Sequence, residues 1–449
     1  MFSLLTRRAA LFLVAGVSLW AQGGADPGVR SGPPGAGGPI QGLTPDQTAL
    51  FNLVATRFSD LHSVGGAITG EPGQGLGPSY NGNGCGACHT FPAPGGSSPV
   101  VNPQIGMATL DNAQNAVPPF LSANGPIREA RFVLNPDGTP DGGVHNLFSI
   151  QGRTDAPGCT FTQPSFQPAL AANNVVFRIP TPAYGAGLIE IISDETILAS
   201  QAATASQRRV LGITGHENRN PNDGTITRFG WKAQNKSLIM FAGEAYNVEM
   251  GITNQLFPQE RDETPGCLFD ATPEDTLNFT TTSNSNTAVL SDIEAFADFM
   301  RMLAPPSPAP STPSTVNGRA LFAKIGCVHC HTPSFTTGRM IASGSSKVPS
   351  AALSNQTVNL FSDILVHHMG KGLADGVTQG GAGPDEFRTA PLWGVGKRVF
   401  FLHDGRTSNL LEAVEAHKSP GSEASHVIDL FNKLKAQERQ NIVNFLRSL

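Results

Sequence analysis

Apolar residues recur at helical spacing in several stretches of the chain. Leu50, Leu53, Val54 and Phe58 follow Thr44-Pro45-Asp46-Gln47. There Thr44 is a natural N-cap, Pro45 suits the first helical position, and Gln47 completes a capping box. Ser291-Asp292-Ile293-Glu294 is a second capping box, opening a helix with Ile293, Phe296, Met300 and Leu303 on one face. A third helix is predicted over about Thr315 to Ile325, and a last one carries Ile442, Phe445, Leu446 and Leu449. The run Asn174-Val175-Val176-Phe177-Arg178-Ile179 is a candidate strand. Gln22 to Gln41 is rich in Gly and Pro and is expected to be disordered. Ala304 to Pro313 is a Pro/Ser-rich linker and the clearest domain boundary.

Composition narrows the class. The 449 residues include 50 Gly and 35 Pro, so turns and irregular loops are abundant. Charged residues are 14% of the chain and the net charge is -5, against about 25% charged in an average soluble domain. A coiled coil, a basic nucleic-acid binder and a disordered acidic tail are excluded. Hydrophobic residues at 39%, with 26 Phe, are enough for a sizeable core. Arg7 and Arg8 precede the short apolar run Ala9 to Ala21, and small residues follow. This reads as an export signal, residues 1–25, and predicts a periplasmic protein. No later run is long and apolar enough to span a membrane.

The six cysteines carry the chemistry. Cys85-Gly86-Ala87-Cys88-His89 and Cys327-Val328-His329-Cys330-His331 are two copies of C-x-x-C-H, the attachment signature of c-type haem. Two thiols hold the ring, and the adjacent histidine is placed to ligate iron from one side. The rival is a zinc site built from the two C-x-x-C pairs, which needs no histidine after each pair. Cys159 and Cys267 remain and are expected to form a disulfide in an oxidising compartment. The Gly-rich loop Gly73-Gln74-Gly75-Leu76-Gly77 follows no strand, so it is read as a haem-side loop rather than a dinucleotide fingerprint.

There is also a weak internal repeat. Phe299-Met300-Arg301-Met302-Leu303 closes one half and Phe445-Leu446-Arg447-Ser448-Leu449 the other. Each half reads helix, C-x-x-C-H, loops, terminal helix. The expected fold is mainly α, with two cytochrome c-like haem domains. The first, residues 42–303, is enlarged by loop-rich insertions with a few short strands; the linker is 304–313 and the second domain 314–449.

The chain resembles the bacterial di-haem cytochrome c peroxidase superfamily, and within it the branch named di-haem oxidoreductases or thiol oxidoreductases. The resemblance covers nearly all of the chain after the export signal. It is carried by the two haem motifs, Arg228-Phe229-Gly230-Trp231-Lys232-Ala233, Glu249-Met250-Gly251, Phe387-Arg388-Thr389-Ala390-Pro391-Leu392-Trp393, Phe401-Leu402-His403-Asp404-Gly405-Arg406 and Leu410-Leu411-Glu412-Ala413-Val414. It implies a reactive haem on His89 and an electron-transfer haem on His331. It implies Glu249 as acid/base and Trp231 as electron relay. Glu244 is a second candidate because the family's Gln before the Glu is absent, with Phe241 near that position. It puts His417 at the sixth ligand of the second haem; Met369, His367 and His368 compete, and a core aromatic remains the plain alternative for Trp231.

No histidine lies between Thr90 and Val144, so the first haem is expected to have an open face unless His145 or His216 folds back. Arg406 is a candidate partner of a haem propionate, and His403 lies in the same turn. The superfamily often holds calcium between its domains, but no acidic loop here specifies it. The leading function is peroxide reduction, with electrons from a small cytochrome c or cupredoxin. The alternatives are a di-haem oxygenase, a protein-oxidising enzyme on the same scaffold, and a non-catalytic electron carrier. Dithiol chemistry finds no support, because every cysteine already has a structural assignment.

Overall fold

The computed structural model describes residues 24–259, 264, 266–276, 290–339 and 350–449. The export signal through residue 23 lies outside them. Two helix pairs organise the described chain. Helix Pro45–Ser59 packs on Asp292–Met302, and Pro313–Lys324 packs on Ala436–Ser448. Both expected capping boxes form, Thr44 with Gln47 and Ser291 with Glu294, each contributing roughly 1 kcal/mol. The third helix starts at Pro313 rather than near Thr315, because Thr312 is its N-cap.

The two crossings differ in what fills them. Phe51 and Phe58 stack on Phe299 in the first, with ring centroids 5.7 and 4.4 Å apart. The second is backbone-close. A Cβ on Gly318 would lie 1.9 Å from the Asn441 carbonyl oxygen, so only glycine admits the approach. The helix Leu238–Met250, capped by the Ser237 hydroxyl and ended by Gly251 at φ 68°, packs on Asp292–Met302.

The sheets are small and antiparallel. Strand Glu129–Phe132 lies between Val144–His145 and Val175–Arg178, with Glu129 opposite Arg178 and Ala130 opposite both His145 and Phe177. The candidate strand at 174–179 is therefore present over Val175–Arg178. Ser79–Tyr80 pairs with Phe148–Ser149, Phe335–Thr336 with Thr357–Val358, and Val366–His368 with Glu386–Arg388. The larger core runs from Phe51 to Leu303 and also takes in Leu360, Ile364, Leu365 and Trp393. The smaller one gathers Phe322, Phe361, Phe431, Ile442 and Phe445, with Ile213 from the other half.

Two expectations are corrected. The Gly/Pro-rich segment is ordered from residue 24. Asp26 accepts hydrogen bonds from Arg447 Nε and the Leu410 amide, both at 2.7 Å, the Arg30 amide donates to Gly396 O at 2.8 Å, and the Ile40 amide donates to Met302 O at 2.7 Å. It straps both helix pairs, so its order comes from long-range pairing that local composition does not reveal. None of the loop residues 73–77 lines the cavity that carries the first haem motif. The loop packs on the end of helix Leu238–Met250, where a Cβ on Gly77 would meet Gly251 O at 2.3 Å. Cys159 and Cys267 are disulfide-bonded across 108 residues, a loop whose closure stabilises by about 4 to 5 kcal/mol. No helix among the described residues is long and apolar enough to cross a membrane.

Candidate functional site

The two C-x-x-C-H motifs line separate cavities. The first cavity measures about 1240 Å³ and carries Cys85, Cys88 and His89 on its wall. The one-turn helix Cys85–Cys88 puts both thiols on one side and leaves His89 as its C-cap. Gly86 lets that turn press against the first helix, since a Cβ there would be 2.8 Å from the Ser59 Cα. His89 Nδ1 is 3.1 Å from the Gly96 carbonyl oxygen. A carbonyl only accepts, so Nδ1 carries the hydrogen and Nε2 keeps its lone pair. Burial pushes the His89 pKa down, which keeps the ring neutral.

Glu249 and Glu244, from helix Leu238–Met250, and Glu129 and Arg131, from one face of strand Glu129–Phe132, also line this cavity. Glu249 accepts from Asn81 Nδ2 at 3.1 Å, and Glu129 accepts from Arg131 Nε at 2.8 Å. Glu244 is bonded by Asn235 Nδ2. Burial, then Glu129, holds the Glu249 carboxyl well above the usual carboxylate range. Burial would raise Glu129 as well, but Arg131, Glu249 and Arg178 together outweigh it and bring Glu129 down to about 2. His89 is the only histidine among the lining residues. His145 is on a strand, paired with Asp141 at 2.9 Å and stacked on Phe132. His216 is half-exposed and bonds Glu386 at 2.7 Å. Neither lines the first cavity.

The second cavity measures about 1340 Å³ and is lined by Cys327, Cys330, His331, Met369 and His417, with many apolar side chains between them. His331 Nδ1 is 3.0 Å from Phe361 O, and His417 Nδ1 is 2.8 Å from Ala413 O. Each therefore keeps Nε2 free, as His89 does. Phe361 has φ 52°, a left-handed conformation that costs about 1–3 kcal/mol in a bulky residue. That strain sits at the carbonyl that orients His331. Burial, then the neighbouring His417, pushes His331 down to about 4. His417 is lowered by burial.

The other candidates take different places. His367 lies between Asp363 and Glu423, 2.9 Å from each, with Nδ1 also 3.6 Å from Cys330 Sγ. Both its nitrogens are engaged, so it is not free to ligate. His368 is half-exposed and bonds Asp385. His403 lines the second cavity and stacks on Phe387 at 4.2 Å. Arg406 turns to Asp404 and Gly372 O rather than into the cavity. Arg388 and Arg398 line it instead.

Trp231 lines both cavities. It is 8% exposed, and its indole Nε1 donates to Ile179 O at 2.9 Å. Beside it, the buried Lys232 Nζ meets Gly383 O at 2.8 Å, Glu386 O at 2.9 Å and Asp375 Oδ1 at 3.0 Å. The same Nζ lies 4.2 Å from the Phe387 ring centroid. Burial pushes Lys232 down to about 8, against the pull of Asp375. Asp375 also holds Arg178 at 2.7 Å, and Arg178 reaches the first cavity. One carboxylate thus joins Arg178, on the wall of the first cavity, to Lys232, which lies over the ring of Phe387 on the wall of the second.

The residues fit two haems. Each cavity offers two thiols and a neutral imidazole with its metal-binding nitrogen unblocked. Arg398 supplies an independent sign: its Nε and Nη2 are buried with no partner, as a site for a ring propionate requires. No group of three or more His, Cys, Asp or Glu side chains suited to a metal ion occurs among the described residues, which disfavours zinc.

Sequence reading did not find Glu129, Arg131, Arg388 or Arg398. The charged-apolar-charged alternation of Glu129-Ala130-Arg131 was the available signal for the first two.

A family profile described as "Di-haem oxidoreductase, putative peroxidase" matches residues 129–449. The chain belongs to this di-haem oxidoreductase family, whose cofactors are haems. No curated protein matches it. Among solved structures it is similar to a MauG-like protein associated with microbial copper homeostasis, at 20% identity over 35% of this chain and 52% of that one, with a TM-score of 0.23. It is also similar to Kuenenia stuttgartiensis hydrazine synthase pressurized with xenon, at 19% identity over 46% of this chain and 60% of that one, with a TM-score of 0.24. The chain thus spans less than two thirds of either structure.

Proposed function

We propose that the chain is an exported, periplasmic c-type di-haem enzyme that reduces hydrogen peroxide. The observation that carries this reading is an asymmetry between the cavities. The first has one lining histidine and a wall carrying Glu129, Glu244 and Glu249. The second has four lining histidines, of which His331 and His417 each rest Nδ1 on a backbone carbonyl. Its largely apolar wall also carries Arg388 and Arg398. When bound, the first haem supplies an iron able to take up peroxide and the second stores electrons. Cys85 and Cys88, and Cys327 and Cys330, would hold the rings by thioether bonds, and His89 and His331 would ligate the irons. His417 would supply a second ligand at the second site, which would set a lower potential than Met369 would. Glu249 moves the proton that O–O cleavage requires. Trp231, fixed by its bond to Ile179 O, relays electrons between the cavities.

Each helix pair with its motif forms a cytochrome c-like unit, the first over 42–303 and the second over 314–449. The donor is a small cytochrome c or cupredoxin docking on the second unit.

The test is the optical and paramagnetic resonance spectrum of the holo-protein, before and after peroxide. The expected result is one high-spin and one low-spin haem, with peroxide changing the high-spin signal first. Two low-spin haems, unchanged by peroxide when oxidised and when half-reduced, would leave an electron carrier.

A further inference from the structure

Glu129 and Glu249 come from elements 120 residues apart in sequence, yet both carboxyls line the first cavity. One side chain ties their neighbourhoods: Gln104 Nε2 donates to the carbonyl of Asn81, the residue bonded to Glu249, and to the carbonyl of Arg128, next to Glu129. Two carboxyls crowded into one buried wall repel each other when both are ionised, so the pair keeps one proton. The surroundings say which oxygen atoms hold it. Arg131 Nε, which can only donate, is bonded to Glu129 at 2.8 Å and keeps that side ionised. Glu249 receives a neutral amide donor, Asn81 Nδ2, and no cation bonds it directly. Its charged surroundings are Glu129 and Arg131 on the strand and Glu244 on its own helix; the Cys85 and Cys88 sulfurs line the same cavity and carry no charge as thioethers. Arg178 acts on Glu129 from the adjoining strand.

We propose that Glu129 and Glu249 work as one unit holding a single proton, with Glu129 as the positioning residue that keeps Glu249 a proton donor at neutral pH. This rests on the reading of the first cavity as the reactive one. The unit takes one proton from the substrate on its ionised side and returns one to the departing oxygen from its acid side. It ends with the one proton it began with, and no outside acid is consumed. The directions of the two shifts agree: Glu249 is held up by burial and by Glu129, and Glu129 is held down by Arg131.

The experiment compares holo wild type with Glu129→Gln and Glu129→Asp. It uses infrared difference spectra with carbon-13 glutamate, together with the pH profile of peroxide turnover. Wild type minus Glu129→Gln at neutral pH is expected to show the stretch of a protonated glutamate. Glu129→Gln should lose about tenfold in turnover for each unit that Glu249 falls below the working pH, and should regain it on acidification. Glu129→Asp should keep the stretch and the profile. If Glu129→Gln keeps both the protonated glutamate stretch and the wild-type profile, the pair is overturned. If the stretch behaves as expected but no form of the protein reduces peroxide, the pair stands and the peroxidase reading falls.

Discussion

The two cavities share a motif and a way of holding a histidine, and they differ in what faces it. In both, a backbone carbonyl takes the Nδ1 hydrogen, from Gly96 in one and Phe361 in the other. Besides His89 the first wall carries Glu129, Arg131, Glu244 and Glu249; in the second cavity His331 is joined by His367, His403 and His417. The motif and the way its histidine is held are therefore common, and the two cavities differ in the rest of their walls. The way to break this comparison is to alter one wall at a time.

The largest expected effect is on the first wall. Glu249→Gln should lower peroxide turnover by about 10²–10⁴-fold, the usual worth of a positioned proton donor. The optical spectra of both haems should be unchanged. Unchanged turnover would remove Glu249 from the mechanism and turn attention to Glu244.

The next change cuts what joins the cavities. Asp375 is fully buried between Arg178 and Lys232. Asp375→Asn leaves two buried cations without their carboxylate, and removing one partner of a buried pair costs about 3–5 kcal/mol. The urea midpoint of the holo-protein reads this directly. A loss under 1 kcal/mol would mean that water reaches the pair and that the two cavities are held together elsewhere.

A smaller loss separates the two helix crossings. Gly318→Ala places a methyl where only 1.9 Å is open before Asn441 O, and such overpacking costs about 1–3 kcal/mol. The first crossing, filled by Phe51, Phe58 and Phe299, has no glycine contact of this kind to lose. Thermal melts should show the second haem's optical signal failing earlier in this variant, with the first less affected.

What was readable in the sequence follows from how local each signal is. The caps at Thr44 and Ser291 and the two C-x-x-C-H turns are complete within a few residues, and they stand where expected. The strand at 175–178 was visible as an apolar run, but its partner Glu129–Phe132 was not, because pairing is a long-range property. For the same reason Glu129 escaped notice: nothing near it in sequence announces Glu249. The strap from residue 24 to 41 looked disordered because its order depends on Arg447, Gly396 and Met302, hundreds of residues away. Arg398 was legible only as a basic residue; its missing partner is a fact of burial.

The smallest effect concerns a charge that only the second cavity has beside it. His367 lines that cavity and is fixed between Asp363 and Glu423, whereas the first cavity's lining histidine rests on backbone carbonyls. Burial opposes a charge on His367, but Asp363, bonded to it at 2.9 Å, holds its pKa above the ordinary histidine value; the Cys330 sulfur adds to this only as a free thiol. A histidine whose folded pKa exceeds its unfolded value of about 6.5 stabilises fully below that pH. The contribution fades as pH rises toward the folded value, at no more than about 1.4 kcal/mol per pH unit for one proton. Urea midpoints measured at several pH values from 6 to 9 should therefore fall more steeply in wild type than in His367→Gln. The variant should be less stable at pH 6 and approach wild type as pH rises. Parallel curves would mean that His367 is neutral, and that the two carboxylates beside it are balanced by Arg208, whose Nη1 reaches Asp363 at 3.4 Å, and by the Thr214 and Gly215 amides that bond Glu423.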